Sequence, residues 1–210
     1  MSAGEGKVLL EPKRHGDPWG EAELPEGRRT ALIPVTAEHF DFLYRLTIDE
    51  EAGPRWWGRG AVPDAKQFAN DLWKGTFCQF VLLTSSGIPI GHVVAYDADM
   101  INGWAYIGGA FVSQVRNRLF AIDGFYAFVD YLFSNWNFRK LYMELPEYNL
   151  GQVESQLDNI AKVEARLKQD VYFGCRYCDR LIVALYRDDF TMPGRFTVGS
   201  SGRNPFAPPD

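Results

Sequence analysis

Between residues 77 and 149 the order of elements leaves this chain few ways to fold. Three runs, FCQFVLLT (77–84), PIGHVVAYDAD (89–99) and WAYIGGAFV (104–112), are rich in β-branched and aromatic residues. They are parted only by SSG and by a turn through NG, which predicts an antiparallel meander. Beyond it Leu119, Ile122, Tyr126, Val129 and Phe133 recur at spacings of three and four, one apolar stripe of a helix ending near Asn135. KLYMELPEYN (140–149) then reads as another strand. A meander that runs into strand, helix, strand closes through a crossover, and a ligand site belongs where the strand before the helix feeds its N-terminus.

The flanking segments complete the frame. RRTALIPV (28–35) reads as a short strand, and Thr36 can cap a helix over AEHFDFLYRLTIDEE, whose apolar face is Phe40, Phe42, Leu43 and Leu46. PDAKQFANDLWKG (63–75) opens on Pro and closes on Gly, as helices do. QVESQLDNIAKVEARLK (152–168) predicts a further helix, and QDVYF and DRLIVALYRDDF a final pair of strands. The order β-α-α-β-β-β-α-β-α-β-β predicts an α+β domain over residues 29–190. Residues 1–28 and 191–210 carry Gly, Pro and charge without periodicity and read as an N-terminal arm and a C-terminal tail.

Composition narrows the chemistry. With 210 residues, 46% hydrophobic and 15% aromatic, one domain can bury a sizeable core. A net charge of −5 gives no global field for nucleic acid, so any polyanion must meet a local basic cluster. The chain lacks a run near the roughly 18 apolar residues of a membrane span and lacks a leader-like apolar region, so a cytoplasmic protein is expected. Cys78, Cys175 and Cys178 make no disulfide framework. The CRYC spacing at 175–178 would need two more ligands for a closed zinc site, from Cys78 and the scattered His15, His39 and His92, so no metal is expected. GxSxG, GxxxxGK[ST] and GxGxxG are all missing, which removes the common hydrolase, P-loop and dinucleotide readings.

Three phrases carry a resemblance: DGFYAFVDYLF (123–133), NFRKLYMELPEYN (137–149) and YFGCRYCDRLIVALYRDDF (172–190). With the order of elements they resemble the GNAT (GCN5-related) N-acyltransferase superfamily, most nearly its ribosomal-protein-acetylating branch and the small-molecule enzymes similar to it, over about residues 29–190. The resemblance implies a mixed, mainly antiparallel sheet of six to seven strands with about four helices. It also implies an acyl-CoA cosubstrate, acetyl-CoA or another, and an amine acceptor on a small molecule. The protein would then be a monomer or homodimer, with a carrier-protein thioester or aminoacyl-tRNA as alternative donors and a non-catalytic binding module as the remaining alternative.

The superfamily's acyl-CoA signature, Q/R-x-x-G-x-G/A, falls on Arg116-Asn117-Arg118-Leu119-Phe120-Ala121, where the first and last positions match and the central glycine is Leu119. Helix N-terminal amides and the macrodipole attract a pyrophosphate without any side chain. A leucine with ordinary helical backbone therefore fits, and Arg116 and Arg118 add charge-assisted bonds. A site needing positive φ would be blocked by it. The two arginines read otherwise as a solvated helix start.

The resemblance also implies that strand four supplies a polarising amide between Ala110 and Val112, with Phe111 and Val112 against the cofactor. Gly108 and Gly109 there serve a local bulge or a close packing contact. That strand has no acid, so the candidate bases are Glu144 and Asp97, DADMING around the latter reading as a turn. Tyr148 is the candidate acid for the leaving thiolate. Asn149 sits where the resembled families place an Asn near the pantetheine arm and can also cap the next helix, and Ser155 is a further cofactor candidate. In RWWGRG (55–60), Arg55, Trp56 and Trp57 can grip an acceptor or simply pack and stay wet.

Overall fold

The computed structural model describes residues 29–55, 61–113, 119–151 and 160–190. Strands β1 (Thr30–Pro34), β2 (Thr76–Thr84), β3 (Pro89–Asp99), β4 (Trp104–Phe111), β5 (Lys140–Pro146), β6 (Ala161–Phe173) and β7 (Arg176–Tyr186) form one sheet ordered β1-β2-β3-β4-β5-β7-β6. All neighbours are antiparallel except β4 and β5, which are parallel. Helices α1 (Phe40–Ile48) and α2 (Ala65–Asp71) lie between β1 and β2, and α3 (Leu119–Asn135) makes the crossover from β4 to β5. This is the mixed, mainly antiparallel α+β sheet that the sequence predicts.

Strand alternation gives the sheet two different faces. Phe80, Leu82, Val93, Ala95, Ala105, Ile107 and Leu141 pack with Phe128, Val129, Leu132 and Phe133 of α3. On the opposite face Val81 and Leu83 meet Leu43 of α1 and Phe68 of α2. Gly124 lets α3 sit low over β2, since a Cβ there would stand 2.7 Å from Leu82 Cδ1. The crossover helix is tied to β1 by Asp123, whose Oδ2 accepts from the N–H groups of Arg29 (2.8 Å) and Thr30 (2.9 Å) and from Thr30 Oγ1 (2.7 Å).

Two expectations are corrected, and of the two alternatives at Gly108 and Gly109 the bulge is removed. Residues 161–168, read as the second half of a helix, belong to β6; Leu150 and Gly151 are helical, and 152–159 lie outside the described residues. Helix-forming Glu, Ala, Arg, Leu and Lys are overridden there by pairing with β7. The β3–β4 register is unbroken from Gly91↔Phe111 to Tyr96↔Tyr106, so Gly108 and Gly109 make no bulge; the irregularity falls in β3, between Tyr96 and Asp99. Asp97 therefore belongs to the end of β3 rather than to a turn, with φ of 46° and its N–H donated to the Gly75 carbonyl.

Candidate functional site

The site begins as a failure of pairing. Parallel β4 and β5 match only at Trp104↔Lys140, Ala105↔Leu141 and Tyr106↔Tyr142. Beyond Tyr106 and Tyr142 the strands part: β4 stays on β3 as far as Phe111, and β5 stays on β7 as far as Pro146. The sheet thus forks at its centre and presents two facing backbone edges. Val112 donates its N–H to the Ile90 carbonyl at 3.0 Å. Bonded and unbonded positions alternate along an antiparallel pair, so Gly109 and Phe111 turn their amides toward the fork. Among Ala110 to Val112, the expected polarising amide is then that of Phe111. Its ring is held over two glycines, since a Cβ on Gly91 or Gly109 would lie 2.6 or 3.2 Å from it.

One face of the fork is aromatic and acidic. Tyr96, Trp104, Tyr106 and Tyr142 form a run of ring contacts, with Tyr106 5.7 Å from Tyr96 and 5.4 Å from Tyr142. Glu144 follows Tyr142 by two residues, which puts it on the same face just past the last paired position. Continuing that register would set Gly108, with no side chain, opposite Glu144. Burial first, and then the charges of Glu144, Tyr142 and Asp97, raise the Tyr106 phenol above its ordinary value. Tyr96 is pushed far up by burial and by Glu144 and Asp97. The two predicted bases thus share one aromatic floor, with Glu144 bonded to Arg180 at 2.7 Å.

At the far end of that floor, buried Lys140 donates to both oxygens of Glu164 at 2.9 Å and lies 4.5 Å from the centre of the Tyr142 ring. Val163 pairs with Val183 and Ala165 with Ile182, so Glu164 is the extra residue of a bulge, and the bulge aims its side chain at Lys140. Burial alone would raise the Glu164 carboxyl, but bonds from Tyr186, Lys140 and Tyr142 outweigh it and hold the group at about 2.

The predicted residues at the open end of the fork come together. Arg55 Nη1 donates to Asn149 Oδ1 (2.9 Å) and to the Tyr148 carbonyl (3.3 Å). Tyr148 stacks on Phe173 with ring centres 3.9 Å apart. Leu119 opens α3, is 45% exposed and is not among the residues with positive φ, so its backbone is one that a side chain tolerates. Phe120 packs on the core and Ala121 is buried. Trp56, Trp57, Arg116, Asn117, Arg118 and Ser155 lie outside the described residues. Sequence reading missed Tyr96, Trp104, Tyr106, Tyr142, Phe173 and Arg180. Alternation in WAYIGGAF and KLYMEL already pairs Trp104 with Tyr106, and Tyr142 with Glu144, on one face of their own strands, and the Tyr106↔Tyr142 register makes the two faces one.

No protein-family model matches the chain, and no curated protein matches it. Solved structures do. Spermidine N-acetyltransferase from Vibrio cholerae, in complex with CoA and spermine, matches 77% of this chain and 97% of its own with a TM-score of 0.69 at 16% identity. A chimera of that enzyme with hSSAT matches 76% and 96% with a TM-score of 0.66 at 17% identity. The chain has the acyl-CoA N-acyltransferase fold. Both of these neighbours are spermidine N-acetyltransferases, and neither is a ribosomal-protein acetyltransferase. Among the described residues no group of three or more His, Cys, Asp or Glu could hold a metal ion, and no helix is long and apolar enough to cross a membrane.

Proposed function

We propose that the chain is an N-acyltransferase, moving an acyl group, acetyl in the simplest case, from a CoA thioester to an amine of a small molecule. One observation carries the reading: β4 and β5 part after Tyr106↔Tyr142 and leave amide-bearing edges in the middle of a sheet. Unpaired backbone inside a sheet calls for a partner, and the amides of a pantetheine arm are such a partner. The neighbours of the same fold include one solved with CoA.

In this reading the thioester carbonyl meets the Phe111 N–H, which favours the negative charge that grows on its oxygen. The acceptor comes from the Tyr106 and Tyr142 side. Its nitrogen gives up a proton to Glu144, directly or through water, and attacks the carbonyl carbon. The carbon–sulfur bond breaks, and the thiolate leaves and takes a proton, for which Tyr148 is the candidate donor. Aromatic rings and carboxylates suit an amine that arrives as a cation. The diphosphate is assigned to the start of α3, with Arg116 and Arg118 as its cations.

Calorimetric titration with acetyl-CoA, followed by thiol release with an amine panel, tests the proposal. Binding and amine-dependent release are expected, and replacing Arg116 and Arg118 together by Ala should weaken binding. Absence of binding would remove the CoA reading, and binding without release on any amine would leave a binding module.

A further inference from the structure

On the acyltransferase reading, the geometry points to Arg55 as a positioning residue that turns the Asn149 carboxamide so that its NH2 group is offered to a ligand in the fork. Arg55 ends a 3-10 turn, Gly53–Arg55, just after Ala52. Ala52 is buried with Leu46 and Ala110, and Val112 packs on the same cluster, so the turn is seated against the C-terminal end of β4. From there the side chain spans the fork to the other arm, where Nη1 donates to Asn149 Oδ1 at 2.9 Å. The guanidinium lies 5.7 Å from the centre of the Tyr148 ring and 5.2 Å from that of Phe173, and those two rings are stacked. A planar cation over stacked rings, bonded also to the Tyr148 carbonyl, is held in one orientation.

The consequence follows from donor and acceptor roles. A guanidinium only donates, so the carboxamide must turn its oxygen toward Arg55, which fixes the NH2 group on the side away from Arg55. A group that meets the NH2 of Asn149 must therefore be an acceptor. The amide carbonyls of an acyl-CoA arm qualify, and an N–H or ammonium group does not. Without Arg55 the carboxamide could flip and lose this preference. Lysine would not replace it, because an ammonium has no planar face to stack on Tyr148 and Phe173.

The test measures acetyl-CoA affinity by calorimetry, KM for acyl-CoA and for the amine, and melting temperature, in Arg55→Met, Asn149→Ala, Asn149→Asp and the Arg55→Met/Asn149→Ala double variant. Each single variant should weaken acetyl-CoA roughly tenfold, about the worth of one charge-assisted or well-placed hydrogen bond, and the loss should show in the acyl-CoA KM more than in the amine KM. The double variant should be no weaker than Asn149→Ala, because Arg55 acts through Asn149. Asn149→Asp keeps an acceptor for Arg55 and loses the NH2 group, so it should bind as poorly as Asn149→Ala while melting at or above wild type. It decides the matter even if Arg55→Met does not fold. Wild-type affinity in Arg55→Met or Asn149→Asp, or losses that multiply in the double variant, would overturn the assignment. If the wild-type chain binds no acetyl-CoA, the acyltransferase reading itself fails, a different result from binding that ignores Arg55.

Discussion

Arg180 joins Glu144 to the outer edge of the sheet: its Nη1 stands 2.7 Å from Glu144 Oε2, and its Nε donates to Asp170 Oδ2 of β6 at 2.5 Å. The carboxylate beside the fork is thereby fixed in direction by two strands that lie beyond it in the sheet.

Glu144→Gln keeps an acceptor for Arg180 and removes the basic oxygen. On the proposed reaction kcat should fall by about 10²-fold, the usual worth of a general base, with acetyl-CoA affinity unchanged. Thiol-release kinetics and calorimetry on the same variant check both halves, and a wild-type rate would clear Glu144 of the role.

His92 should make stability sensitive to mild acid. Its Nε2 lies 2.9 Å from Gln79 Oε1, and burial lowers the ring from 6.5 to about 4. Between those values the unfolded chain binds a proton that the folded chain refuses, so stability is full above about 6.5 and drains as pH falls toward 4. Melting curves across that window should fall less steeply in His92→Gln than in wild type, by at most about 1.4 kcal/mol per pH unit. Parallel curves would mean that the folded ring does titrate normally.

Gly91→Ala should loosen the end of β4. The added Cβ would stand 2.6 Å from Phe111 Cδ1 and 2.9 Å from the Ala110 carbonyl oxygen. The ring can swing, but the carbonyl belongs to the sheet. A loss of about 1–3 kcal/mol is expected, together with weaker acetyl-CoA binding, since the Phe111 amide moves with its backbone. Unchanged melting would show that the sheet yields there.

Asp123→Ala should destabilise the fold by about 3 kcal/mol, because two backbone N–H groups and the Thr30 hydroxyl lose one shared acceptor. For a domain of this size that is a fall of about 6–12 °C in Tm. Thr30→Ala alone should cost about 1 kcal/mol. Equal losses in the two variants would locate the effect in Thr30 rather than in the carboxylate.

The meander, α3 and its end at Asn135, and the strand at 140–146 were legible because each rests on a short-range period. The stretch 161–168 was misread because its residues favour a helix one by one. Counted in twos, AKVEARLK alternates small or apolar with charged residues, the pattern of a strand, and its antiparallel partner β7 decided the outcome. Leu119 sits at a helix start where a side chain costs nothing in φ, a point of backbone that the sequence leaves open.

Outside 161–168, sequence by itself determined which of the described residues form the main strands and helices, and through alternation that Tyr142 and Glu144 share a face, because propensity and period act over a few residues. Only the tertiary structure decided where β4 and β5 part, which ring meets which carboxylate, and that Arg55 reaches Asn149 across 94 positions of chain. Those depend on the register between strands remote in sequence, and register is set by the packing of the whole sheet against α3 rather than by any local stretch.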